Sequence, residues 1–405
     1  MKTAALNAFR YLIIGAALVA GIYALILARA AALFQKDTAV SVAAAVRLQP
    51  HNSEYLDRLA SWQPEERKTL LQRSIAENPF NDDAWIRLGL MHEMQDGDSA
   101  DAEKCYLQAA NINHMFLPRW TLANFYFRQQ RPDDFFHWTK ETLEVTPYSS
   151  DPVFAQMWQM TQDEDTLESA IPERPRILLQ YAWYLANSRQ YNSIPRPVER
   201  LVHLVNKEDA GKWGREDLLA VTEDHMLAAG YPKPALSVWS TLKSAGWIEQ
   251  SVPNDQKPLT NGDFRQLFYR HGFDWVMNEN PGMRAEQLPD VPELRVSLYG
   301  DEGEKITVLQ QYVAVAPGGR YTMTWNQQSE ELNDPSGFAW HLHSIGGGDT
   351  PEIVSGDVVT PKPEWNFVAP SGAKSFLLTL EYARVLGTTR ARGSLALKAI
   401  TMNRK

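Results

Sequence analysis

"LTNGDFRQLFYRHGFDWVM" (Leu259 to Met277) is where the chain changes character. Upstream, apolar residues recur at the spacing of one helix face. Downstream they alternate, and glycines and prolines punctuate short runs. The two sides of this stretch therefore predict different architectures, helical before it and sheet-built after it.

On the downstream side, "LRVSLYG", "KITVLQQYVAV", "RYTMTWNQ", "GFAWHLHSI", "SFLLTLEYA" and "SLALKAITM" read as six strands. Turn signals separate them: Pro317-Gly318-Gly319, Asp334-Pro335-Ser336-Gly337, Gly346-Gly347-Gly348-Asp349 and Pro370-Ser371-Gly372. Short strands so punctuated predict an all-β sandwich or jelly roll. Alternation assigns faces. Tyr321, Met323 and Trp325 turn inward, as do Phe338, Trp340 and Leu342. That leaves Thr322, Thr324, Asn326, His341 and His343 outward. In the last strand the apolar phase slips from Leu395 and Leu397 to Ile400 and Met402, which predicts a β-bulge.

The pair "NGDF … GFDW", followed by "LQQYVAVAPGGRYTMTW" and "GSLALKAITM", resembles the β-jelly-roll carbohydrate-binding modules of the galactose-binding-like class, over about Leu259 to Met402. Gln311, Val313, Val315 and Tyr321 match its pattern. The resemblance implies that Asn-Gly-Asp-Phe is an opening strand and that the domain contacts a glycan. An outer row of Thr324, Asn326, His341 and His343 would bond sugar hydroxyls, with the loop residue Trp365 stacking on a ring. A solvated sheet face is the alternative. Such modules often carry a paired Asp in the last strand, one of which can ligate calcium. Lys398-Ala399 stands there instead, and an ammonium coordinates no cation, so structural calcium is disfavoured and no cofactor is expected.

On the upstream side, "AWIRLGLMHEM" from Ala84 matches "RWTLANFYFRQ" from Arg119. Leu88 and Leu122 are 34 residues apart, as are Gly89 and Ala123, and His92 and Tyr126. Pro79 and Pro147 are separated by 68, twice that period. This resembles the tetratricopeptide repeat, a helix pair that stacks on its neighbours because it cannot bury its apolar face alone. One extra residue falls in the turn "QDGDSAD". A degenerate first repeat runs from Asn52 to Pro79, with a shortened turn at Pro64. Beyond Pro147 the period decays, but "PRILLQYAWYLANSRQY", "PVERLVHLV", "REDLLAVTEDHMLAAG" and "PALSVWSTLKSAG" read as further helices, to about Trp247. Pro175, Pro197 and Pro234 suit first turns, and Gly230 and Gly246 suit helix stops. The resemblance implies a partner-protein groove lined by Asp83, Ile86, Leu90 and Glu93 in one repeat and by Trp120, Asn124, Phe127 and Arg128 in the next. The alternative buries Trp120 and Phe127 against a neighbouring repeat.

At the start of the chain, Tyr11 to Ala28 carries no charge over 18 residues, close to the ~20 that cross a bilayer. Lys2 and Arg10 precede it. The positive-inside bias then predicts a cytoplasmic N-terminus, with the bulk of the chain on the other side. The alternative is a signal peptide cleaved after Ala28-Arg29-Ala30, though the run exceeds the ~7–15 residues of a signal core.

Other chemistry is sparse. A net charge of −9 argues against a nucleic-acid partner, which calls for a basic patch. The lone Cys105 excludes an internal disulfide and a cysteine-built zinc site. His341-x-His343 puts two imidazoles on one strand face, but no third ligand is identifiable, so no metal is assigned. "DGDSADAE" lacks the spacing of an EF-hand. Nucleophile-elbow, P-loop and zincin motifs are absent. Asp274, Glu364 and Glu381 are arguable carboxylates for glycoside hydrolysis, but each is as well explained by a loop or a sheet surface, and no catalytic residue is assigned.

The expected organisation is a cytoplasmic segment (1–10), a transmembrane helix (11–28), a linker or helical lead-in (29–51), an α-solenoid of tetratricopeptide-type pairs (52–250), a linker (251–258) and a β-sandwich (259–405). As a whole the chain resembles bacterial repeat proteins that accompany exopolysaccharide synthesis machinery. That resemblance implies a single-pass inner-membrane protein, largely periplasmic, and a non-catalytic scaffold. Its repeats would bind protein partners and its β-domain a polysaccharide. A glycan-active envelope enzyme and an assembly chaperone are the alternatives.

Overall fold

The computed structural model describes residues 2–288, 291–348 and 352–405. Met1 and Asp349, which belong to two of the expected segments, lie outside them. The chain divides into two compact units. One comprises residues 1–149 and 155–162, the other residues 150–154 and 163–405.

The first unit begins with α1 (Lys2–Phe34). Its segment Phe9–Phe34 has 26 residues and a mean hydropathy of 2.4, and its most apolar stretch is entirely unburied. At ~1.5 Å per residue this is long enough to cross a bilayer. The last turns behave differently. Ala30 is buried, and Leu33 and Phe34 pack into the core formed with α2 (Ala39–Leu48) and α3 (Ser53–Trp62). The Phe34 ring stacks on Tyr55 at 4.5 Å. One uninterrupted helix thus passes from an exposed apolar rod into the packed array.

Three helix pairs follow: α3 with α4 (Arg67–Glu77), α5 (Asp82–Met91) with α6 (Ser99–Ile112), and α7 (Phe116–Arg128) with α8 (Pro132–Val145). Asn52, Asn81 and Asp98 cap α3, α5 and α6, each side chain accepting from a first-turn N–H and so satisfying an orphan donor. The turn at Pro64 tightens to a single 3₁₀ turn, Pro64–Glu66. After α5 the chain widens into a π turn at His92–Asp96 before left-handed Gly97. A π turn absorbs one added residue, which accounts for the longer "QDGDSAD" link. Gly89 sets the α5–α6 distance, since a Cβ there would lie 2.6 Å from the Tyr106 ring. Leu88, Leu122, Ala123 and Tyr126 are buried, as their 34-residue period predicts.

In the second unit the helices are α10 (Glu164–Ala170), α11 (Pro175–Asn187), α12 (Pro195–Leu204), α13 (Arg215–Asp217), α14 (Asp224–Ala228) and α15 (Pro232–Ser244). The intervening α9 (Asp151–Met160) contributes residues to both units. Gly230 and Gly246 adopt φ of 80° and 73° and end α14 and α15.

Among the described residues ten strands form two antiparallel sheets. They are β1 (Val276–Met277), β2 (Met283–Leu288), β3 (Glu293–Tyr299), β4 (Lys305–Val313), β5 (Arg320–Glu330), β6 (Phe338–Ile345), β7 (Ile353–Asp357), β8 (Glu364–Val368), β9 (Ser375–Ala383) and β10 (Arg392–Arg404). One sheet runs β1-β4-β9-β6-β7 and the other β2-β3-β10-β5-β8. Tyr321, Met323, Trp325, Phe338, Trp340 and Leu342 all lie in the core between them. The register of β10 against β5 slips between Leu397 and Ala399, so Leu395, Leu397, Ile400 and Met402 all stay buried. The expected bulge is there, with Lys398 at its crest.

Leu259 to Trp275 departs from the expected opening strand. It is an irregular strap, and pairing begins only at Val276. Asn261 and Phe264 take positive φ, 46° and 57°, a region costly for residues other than glycine. Side chains do the work of a ladder. Gln311 donates to the Thr260 carbonyl at 3.1 Å and accepts from its N–H at 3.3 Å. Asn261 exchanges two hydrogen bonds with the Gln266 backbone. Buried Asp274 accepts from Tyr269 N at 2.6 Å and from Gln250 at 3.0 Å. Gly262 lies so close to β10 that a Cβ would fall 2.1 Å from the Ile400 carbonyl oxygen. The buried Trp275 indole donates to Asn261 O at 3.1 Å.

The strap also ties the sheets to helices. Asp224 on α14 accepts from Gly272 N at 2.8 Å and pairs with His271 Nδ1 at 2.8 Å, and Trp239 on α15 meets Phe273 edge-on at 5.7 Å. The boundary of compactness therefore falls earlier in the chain than the change from helix to strand.

Candidate functional site

In the helix pairs, the eight expected groove positions are not equally available. Ile86 is buried in α5, so it offers a partner no surface, contrary to expectation. Asp83 and Leu90 are exposed, and Trp120, Asn124 and Phe127 are half-buried. Trp120 stacks on Phe116 at 6.1 Å, and Phe127 lies 5.6 Å from Phe135. Asn124 donates to Trp120 O and accepts from Gln156, both at 2.8 Å. Arg128 holds Glu93 through two parallel bonds of 2.7 and 2.8 Å, and the Tyr106 hydroxyl donates to the same carboxylate at 2.8 Å. Burial, and next the bond to Glu93, raises the Tyr106 pKa, while the Glu93 carboxylate raises that of Arg128. Of the three charged groove residues, Glu93 and Arg128 are spent on each other and stitch successive pairs together, while Asp83 stays exposed.

"DGDSADAE" is likewise accounted for. Asp96 is bonded by Lys68, Asp98 caps α6, and Asp101 is bonded by Lys104.

In the sandwich, the four outward polar residues expected in one row belong to two rows. Strand β5 lies in one sheet and β6 in the other, so Thr324 and Asn326 sit on the opposite outer face from His341 and His343. Thr324 and Asn326 are exposed, and the Thr324 hydroxyl bonds that of Thr401 at 2.8 Å. Trp365 is not in a loop. It lies on β8 opposite Met323, is buried, and packs 4.5 Å from Phe367. No face of it is free for a sugar ring.

The histidine row acquires carboxylates that strand reading alone left unplaced. His341 and His343 stack with rings 6.0 Å apart and 11° from parallel. β9 lies beside β6, with Ala339 opposite Glu381 and His341 opposite Thr379. Glu381 Oε2 is 3.8 Å from His341 Nε2, and its Oε1 is 3.3 Å from His343 Nε2. Glu352, just before β7, hydrogen-bonds His341 Nδ1 and lies 4.0 Å from His343 Nδ1. Thr379 Oγ1 is 3.0 Å from His343 Nε2 and donates to Glu381 Oε1 at 3.1 Å. Lys305 Nζ stands 3.0 Å from Glu381 Oε2. Burial opposes ionisation of Glu381, but Lys305, His341 and Thr379 outweigh it and hold the carboxyl below its ordinary pKa. The alternation in "SFLLTLEYA" marks Thr379 and Glu381 as outward. Which strand they would neighbour is a property of the topology.

No protein-family model matches the sequence, and no curated protein matches it. Solved structures with some likeness include accessory secretory protein 1, 2 and 3 of Streptococcus pneumoniae, 11% identical over 39% of this chain and 99% of that one, with a TM-score of 0.25. The glycosylation-associated Gap123 complex of Streptococcus agalactiae is 9% identical over 31% of this chain and 39% of that one, at 0.23. PilF of Pseudomonas aeruginosa is 16% identical over 48% and 91%, at 0.26. At such scores the likeness carries no argument, and the architecture rests on the helix pairs and sheets themselves.

Proposed function

We propose that the chain is a non-catalytic adaptor of bacterial envelope polysaccharide assembly, held in the inner membrane by α1 with its bulk on the periplasmic side. The observation that carries this reading is the continuity of α1. Its apolar length is exposed, while its final turns are built into the core of the array. A lipid anchor continuous with the repeats fixes their position at the membrane, which suits a docking platform. The partner protein meets Leu90, Trp120 and Phe127 beside the carboxylate of Asp83, and the two aromatic side chains are of the kind that anchor interfaces. The outer face bearing Thr324 and Asn326 contacts glycan hydroxyls.

The test is capture of the intact protein from membranes, comparing the native chain with Trp120→Ala. The expected result is a co-purifying envelope protein that the variant loses while remaining folded and membrane-bound. A co-purifying set unchanged by Trp120→Ala would contradict docking on this face. Sequencing the mature N-terminus tests the anchor, which is retained under this account; a start near Ala30 would replace it with a cleaved signal.

A further inference from the structure

We propose that His341, His343 and Glu381 ligate a divalent first-row transition metal ion, with Glu352 orienting the imidazoles from behind. This does not depend on the adaptor reading. It rests on how the four side chains converge. Both Nε2 atoms face Glu381, and both Nδ1 atoms face Glu352. One donor atom from each of the four residues lies within 4.8 Å of the others.

The histidine-to-carboxylate spacings come close to what an ion requires. Around a tetrahedral zinc with bonds of ~2.0–2.2 Å, neighbouring ligand atoms sit ~3.3–3.6 Å apart. The two Nε2-to-carboxylate distances are 3.3 Å to Oε1 and 3.8 Å to Oε2 of Glu381, and the two imidazole rings, 6.0 Å apart, tilt toward each other to share an ion. Glu352 accepting from His341 Nδ1–H would keep the proton there and leave that ring's Nε2 lone pair for the metal, the usual carboxylate–histidine–metal arrangement.

The remaining neighbours permit this. Thr379 Oγ1 bonds His343 Nε2 at 3.0 Å, and its hydroxyl can turn wholly to Glu381. Lys305 is 64% exposed, so its ammonium can swing into water when an ion takes over Glu381. With neutral imidazoles, the two carboxylates and the Lys305 ammonium sum to one net negative charge, which favours a cation. His343 and Glu352 are 31% and 35% exposed and open a path from solvent, while Glu381 at 6% forms the floor. Two imidazoles and a carboxylate suit zinc, cobalt, nickel or copper over calcium and magnesium, which prefer all-oxygen shells.

The test uses the full-length protein in detergent, stripped of metal by a chelator and titrated with Zn²⁺. Expected are one tight site per chain, a rise in Tm on saturation, no competition from Ca²⁺, and visible d–d bands with Co²⁺ in place of zinc. His343→Ala and Glu381→Gln should each weaken binding by more than ~100-fold, and Glu352→Gln by ~10–100-fold. Lys305→Met should tighten it. Absence of a tight site, or equal affinity in folded His343→Ala and Glu381→Gln proteins, would overturn the proposal. If those variants do not fold, the native protein decides: Co²⁺ without d–d bands of nitrogen ligation overturns it equally.

Discussion

Two carboxylates, one in each unit, make an instructive pair. Glu93 in the helix array and Glu381 in the sandwich are equally buried, each side chain 6% exposed. Glu93 is gripped by a guanidinium in fork geometry and by a tyrosine hydroxyl, donors fixed in place and, for arginine, always charged. Glu381 faces two imidazoles, a hydroxyl that can turn and a lysine that can leave. Burial alone therefore does not mark a functional acid. The replaceability of its partners does, and by that measure the array's charges hold the repeats together while those of the sheet can exchange for a ligand.

The comparison can be broken or sharpened by substitution, beginning with the scaffold under the sheet. Trp275→Ala removes a fully buried indole and its bond to the strap, and should cost about 3–5 kcal/mol in denaturant unfolding. A loss below about 1 kcal/mol would mean that the strap does not clamp the sandwich.

Asp274 gives the next effect. Burial lifts its carboxyl from 3.8 to about 6 despite bonds from Tyr269, Trp275, Asn261 and Gln250. Because the folded-state value is the higher one, its contribution is fully present below the unfolded value and is lost as pH rises through about 6. The span is worth about 3 kcal/mol at most. Glu223, raised by burial and then by Asp224, titrates in the same sense, so the measurement is a difference. From pH 4 to 7 the native protein should lose stability relative to Asp274→Asn. A pH-independent difference contradicts the assignment.

Arg128→Ala then leaves Glu93 with Tyr106 alone and should destabilise the array by about 1.5–3 kcal/mol. Lys305→Met removes an ammonium that is itself 64% exposed and leaves the imidazoles and Thr379 beside Glu381, so it should change stability by less than about 1 kcal/mol. If the two losses were equal in thermal unfolding, the contrast between a fixed and an exchangeable partner would fail.

Much of this was legible in the residues. The 34-residue offset of Leu88 and Leu122 announces the paired helices because the spacing is local and repeated. Alternation puts Trp325 and Trp340 inside, and the phase slip at Lys398 announces the bulge. What alternation cannot supply is sheet membership. It separates inward from outward but not which outer face a residue occupies, so Thr324 and His341 read as one surface although the topology parts them. Strand pairing is non-local, which is why Glu381 became a neighbour of His341 only in the fold. Ile86 departs from expectation because its face of α5 is covered, and Trp365 because a five-residue strand after Pro361 and Pro363 resembles a loop in sequence. The strap from Leu259 to Trp275 follows no period at all, since its hydrogen bonds go to side chains.

Site-specific photo-crosslinking in intact membranes tests the central claim of an anchored docking platform most directly. A crosslinker placed at exposed Leu90 should capture one discrete envelope protein, and Trp120→Ala in the same chain should abolish the adduct while the protein stays in the membrane fraction. An adduct insensitive to Trp120→Ala, or none at position 90, would contradict the account.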